Sequence, residues 1–138
     1  MRLEYVPLEA FGFDKLKNVL ENDSASSSYD KPELGRKLIG CQNDTDQKIQ
    51  GYVIRELDNK ESLWGFVLFE SGSKNITDMY TFEQERGNNL FKLIGFFMQN
   101  QENWTGEFAY DDNSQKLSKW FQGAATDPLA HEYTVLKA

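Results

Sequence analysis

Apolar residues change their spacing several times along this chain, and each change marks an element. Leu3, Tyr5 and Pro7 share one face of an alternating run, which predicts a short first strand over 2–8. It ends near Pro7, because proline has no amide to give to a ladder. Phe13, Leu16, Val19 and Leu20 then recur at helical spacing and predict an amphipathic helix over 11–21. The polar, serine-rich residues 23–28 predict a loop. Residues 32–39 predict a second short helix stopped by Gly40, with 41–48 polar and exposed.

From Ile49 the spacing becomes strand-like. Residues 52–57 and 63–70 predict a hairpin around the turn 58–61, and 76–82 a third strand after the turn 71–75. Leu90, Leu93, Ile94, Phe97 and Met98 occupy i, i+3, i+4, i+7 and i+8, the cleanest helical stripe in the chain. Further on, the pattern predicts a strand over 104–110 and a helix capped by Asp112 or Asn113 that carries Leu117, Trp120 and Phe121. A loop over 123–128 and a closing strand over 132–136 follow. Several strands in a row, followed by a helix, predict an α+β or mixed α/β sheet.

Composition narrows the class. A length of 138 residues suits a single domain, 1–138, and 39% hydrophobic with 14% aromatic residues suits a packed core. A net charge of −7 opposes broad contact with phosphate backbones, so nucleic acid is excluded as a partner, and a cationic one is favoured: an amine, a polyamine or a basic peptide. Cys41 is the only cysteine, which rules out an internal disulfide, and His131 is the only histidine, which argues against a metal site. The first residues lack the apolar core of a signal peptide, and the apolar run 90–98 contains Lys92 and is shorter than the ~20 residues a membrane span needs. The expectation is a cytoplasmic protein without a membrane segment. The sequons at Asn43, Asn75 and Asn103 then read as coincidences in an Asn-rich chain.

The segment 76–94 carries the candidate chemistry: a strand runs through a short charged turn into the N-terminus of the striped helix. Backbone N–H groups converge at such a point, and the helix dipole favours an anion there. Ile76, Asp78, Tyr80, Arg86 and Gly87, with Met79 and Leu90 as conservative replacements, resemble the strand and helix of the GNAT acetyltransferase superfamily. The preceding Leu63-Trp64-Gly65-Phe66-Val67 is similar to that family's acidic-turn hairpin, and Asn113 resembles the Asn that opens its fourth helix. The order of elements agrees along nearly the whole chain, while the specific motifs fall within about 52–94.

The resemblance implies a GNAT-like α/β (α+β) fold, with a mixed, mostly antiparallel central sheet flanked by helices, and transfer of acetyl from acetyl-CoA to a primary amine on a small molecule or peptide. It implies a pyrophosphate cradle at Arg86, Gly87, Asn88, Asn89, Leu90 and Phe91, and backbone contacts to the pantetheine arm from Met79, Tyr80 and Thr81. An ammonium of pKa ~10.4 must lose its proton before it attacks, so a carboxylate base is expected, with Asp78, Glu83 and Glu85 the nearest. The chain departs from the family at three places. Asn89 and Phe91 stand where small residues are usual, and Trp120 stands where a tyrosine often protonates the leaving thiolate. Tyr110, or Tyr133, would have to supply that proton. These departures support an alternative expectation: a GNAT-fold protein that binds a ligand or partner and transfers nothing.

Overall fold

The computed structural model describes residues 2–23, 31–43, 46, 48–82, 90–103 and 133–136, with the backbone alone at Lys31 and Phe91. Five strands form one sheet in the order β4-β3-β2-β1-β5. These are β1 (Leu3–Pro7), β2 (Ile49–Glu56), β3 (Leu63–Glu70), β4 (Ile76–Thr81) and β5 (Tyr133–Val135). Every pairing is antiparallel except β1 with β5, so the sheet is mixed and mostly antiparallel, as expected. The helices are α1 (Leu8–Phe11), α2 (Phe13–Asn22), α3 (Lys31–Asn43) and α4 (Leu90–Gln101).

The two faces of the sheet build two cores. Leu3, Tyr5, Ile54, Val67, Phe69 and Met79 pack with the α4 stripe. Val6, Val53, Phe66, Leu68, Tyr80 and Phe82 pack with Leu16 and Leu20 of α2 and Leu34 and Leu38 of α3. Aromatic rings fasten α4 down: Phe97 stacks on Tyr5 with centroids 3.9 Å apart and meets Tyr52 edge-on at 4.8 Å.

Two β-bulges decide which side chains reach which core. Ile54 faces Gly65 while Arg55 faces Leu63, so Trp64 is the extra residue on β3 and turns to the α4 side, away from Phe66. On β4, Leu68 faces Asp78 while Phe69 faces Ile76, so Thr77 is extra. That shift puts Ile76 and Met79 in one core although three positions separate them.

Several predicted boundaries move. The helix expected over 11–21 runs from Phe13 to Asn22, and Leu8–Phe11 forms a separate, unpredicted turn before it that ends at Gly12, whose φ of 105° is a backbone conformation that favours glycine. Gly40 does not stop α3, which continues to Asn43. A helical glycine costs only ~1 kcal/mol against alanine, less than the packing of Leu34 and Leu38 under α3 contributes. Strand β2 begins at Ile49, three residues earlier than its predicted start, because Ser71 donates to the Lys48 carbonyl and extends the ladder. The predicted loop over 23–28, strand over 104–110, helix after Asp112 and loop over 123–128 fall outside the described residues, apart from Asp23 itself. Among the described residues no helix is long and apolar enough to cross a membrane.

Candidate functional site

The sheet has an upper end, where β2 and β4 finish and β1 and β3 begin. Strand β4 leads there into the segment 83–89, and α4 starts on the far side of it. The seat of α4 is set by Gly65: a Cβ on that residue would stand 2.6 Å from Leu90 Cδ2 and 2.1 Å from the Tyr80 carbonyl oxygen. The missing side chain lets the first turn of the helix lie directly on the ends of β3 and β4. Leu90, Leu93, Ile94, Phe97 and Met98 are all buried, so the stripe continues this contact along the helix.

Met79, Tyr80 and Thr81, read from the sequence as cofactor contacts, occupy the last half of β4. The Phe82 amide donates to the Trp64 carbonyl at 3.0 Å, and amides alternate in direction along a strand. Tyr80 therefore turns its backbone toward β3, while Met79 and Thr81 turn theirs to the opposite side. The Tyr80 side chain points toward α2, where its hydroxyl donates to Asp23 Oδ2. Leu90 opens α4; Arg86, Gly87, Asn88 and Asn89 lie outside the described residues, as do Glu83, Glu85 and Tyr110.

Asp78, the first candidate base, sits in mid-strand on the α3 side and is 7% exposed. Lys37 Nζ donates to both of its oxygens, at 3.1 and 3.2 Å. The pair borders a cavity of about 260 Å³ between α3 and the lower part of the sheet, with Cys41, Ile49 and Leu68 also in its walls. Lys37 and Cys41 lie one helical turn apart on α3, which is why both face it. Asp78 is thus committed to a lysine 41 residues away, toward the lower end rather than toward the start of α4. Tyr133, the fallback proton donor, lies in β5 at the opposite edge of the sheet from β4, where its hydroxyl accepts from Gln101 Nε2 at 3.0 Å. Four strand spacings, roughly 19 Å, separate those two edges.

Three polar groupings were not legible in the pattern. A pocket of about 360 Å³ opens at the upper end, between Val19, Asn22 and Asp23 at the end of α2, Glu61 and Leu63 beside the β2–β3 turn, and Phe82 after β4. On β1 and β2, Glu4 and Arg55 form a largely buried ion pair at 2.8 Å. At the lower end, Tyr52 donates to Glu102 Oε1 at 2.7 Å, and Lys74 holds Glu102 Oε2 at 3.1 Å. Burial, then the Glu102 carboxylate, push the Tyr52 phenol above its ordinary range, so it stays protonated. Among the described residues no group of three His, Cys, Asp or Glu side chains is arranged to hold a metal.

Comparison of the chain with protein-family models, with curated proteins and with solved structures finds no match.

Proposed function

We propose that this protein is a GNAT-type acyltransferase that moves acetyl from acetyl-CoA to a primary amine of a small cationic or peptidic substrate. The observation that carries the reading is the seat of α4: a buried strand ends, an eight-residue segment follows, and a helix begins pressed onto the strand ends through Gly65. Such a helix start offers several aligned amides to a phosphate. In this reading Arg86, Gly87, Asn88 and Asn89 form the pyrophosphate cradle, with Leu90 and Phe91 opening the helix behind it. The amides that Met79 and Thr81 direct away from β3 suit an extended pantetheine arm, and Tyr80 contributes through its hold on Asp23 instead of through its backbone.

The reaction needs a neutral amine to attack the thioester carbonyl and a proton for the departing thiolate. Because Lys37 engages Asp78, the base role falls to Glu83, and Tyr110 takes the role of acid. Acetyl passes from sulfur to nitrogen, the amine proton goes to the carboxylate, and the phenol proton goes to the thiolate.

The Lys37–Asp78 pair also favours a second reading, a GNAT-fold protein that binds without transferring, since it removes one of the candidate bases. Incubation with acetyl-CoA and a panel of amines, followed by free-thiol release, separates the two. The transferase reading expects amine-dependent release that Glu83→Gln and Tyr110→Phe reduce. Acetyl-CoA binding with no release for any amine would favour the second.

A further inference from the structure

We infer that the cavity under α3 binds a short aliphatic primary amide, whose head group bridges Lys37 and Asp78. The walls set the chemistry. Ile49, Leu68, Gly40 and Cys41 make most of the lining apolar, and no aromatic ring is among the described residues that line it. Thr77 donates its hydroxyl to the Leu68 carbonyl at 3.3 Å, so that donor is already engaged. Charge reaches the cavity through the Lys37–Asp78 pair.

That pair is incompletely satisfied. Asp78 is 7% exposed, and a carboxylate has about four lone-pair sites. The Lys37 ammonium meets its two oxygens at 3.1 and 3.2 Å and is its hydrogen-bond partner among the described residues. A buried carboxylate with unused acceptor sites favours a further donor beside it. Lys37 keeps a third N–H for an acceptor. A primary amide answers both, its NH₂ donating to Asp78 and its carbonyl accepting from Lys37. A carboxylate would stand against Asp78 and an ammonium against Lys37, so a neutral head group is selected.

Gly40 gives an independent sign of an occupant. Lys37, Gly40 and Cys41 stand at i, i+3 and i+4 of α3 and share the face that lines the cavity. Glycine inside a helix is unfavourable compared with alanine. Gly51 and Gly65 are required by backbone oxygens that a Cβ would approach to 2.3 and 2.1 Å, whereas a Cβ on Gly40 would meet nothing within 4 Å. Packing within the chain does not call for this glycine; an open cavity wall does. A cavity of about 150 Å³ admits benzene, so about 260 Å³ holds roughly eight to ten heavy atoms. The site lies toward the lower end of the sheet, away from the β4–α4 junction, and does not depend on the transferase reading.

Titration of the full chain with hexanamide, followed through the methyl NMR signals of Ile49 and Leu68, tests this. Both signals are expected to shift saturably with the amide. Hexanoate and 1-aminohexane should bind about tenfold more weakly, since each loses one charge-assisted hydrogen bond. Gly40→Leu, an exposed change that extends a side chain into the cavity mouth, should abolish the shifts without lowering the melting temperature. Saturable binding that Gly40→Leu leaves intact would place the amide elsewhere and overturn the inference. Equal affinity for the three head groups would overturn it too, as would unchanged signals at millimolar amide, the result expected if water alone fills the cavity.

Discussion

Leu90 occupies the space that a side chain on Gly65 would need: a Cβ there would come within 2.6 Å of Leu90 Cδ2. The start of α4 and the end of β4 are held together by this one absence. Gly65→Ala must push either Leu90 or the Tyr80 carbonyl, which would lie 2.1 Å away, and backbone yields least. Overpacking of this kind costs about 1–3 kcal/mol, and the upper half of that range is expected in urea unfolding. Gly72→Ala, with nothing within 4 Å of the new carbon, should stay within about 0.5 kcal/mol of wild type. Equal stability of the two variants would contradict the close seating.

Lys37 and Asp78 make a further test of packing. Asp78 is 7% exposed, so Lys37→Met leaves a carboxylate with little water and without the ammonium. An unsatisfied buried group costs about 1–3 kcal/mol; the half-exposed lysine side leaves room for water to enter, so about 1–2 kcal/mol is expected. Denaturant unfolding of Lys37→Met, Asp78→Asn and the double variant measures the coupling. Additive losses would show that the pair does not act as a unit.

Much of this fold was legible in the hydrophobic pattern, and what was missed has physical causes. The β2–β3 hairpin and the α4 stripe were readable because alternation and the helical period are local. The bounds of β3 coincide with prediction because turn residues flank it on both sides. The two bulges were not readable, since an extra residue in one strand depends on the register of its neighbour. Nor was the place of β5 beside β1, at the edge far from β4. At the site, the order of β4, a charged segment and α4 was visible in the sequence. That Lys37 would hold Asp78, or Asp23 would hold Tyr80, was not, because the partners lie 41 and 57 residues apart.

Tyrosine ionisation gives a pH-dependent prediction. Burial first, then Tyr133, raises the Tyr5 phenol above its ordinary value of 10.0, and burial first, then Glu102, raises that of Tyr52. In the unfolded chain both lose their protons near that ordinary value, while in the folded chain both keep them. Their stabilisation is therefore complete below pH 10 and declines as pH rises from there toward the folded values. Stability measured across pH 9–12 should fall, and Tyr52→Phe should make the fall shallower while costing about 1 kcal/mol at neutral pH for the lost hydrogen bond. A wild-type curve that stays flat over that range would contradict the burial of these phenols.

The proposal that the β4–α4 junction holds acetyl-CoA is tested most directly by thermal unfolding with and without that ligand. At one hundred times its dissociation constant, acetyl-CoA should add about 2.7 kcal/mol to the stability of the folded chain. Arg86→Ala should diminish the gain by removing a cradle residue. An upward shift in melting temperature that grows with ligand concentration is the predicted result; an unchanged melting temperature at millimolar acetyl-CoA would contradict it.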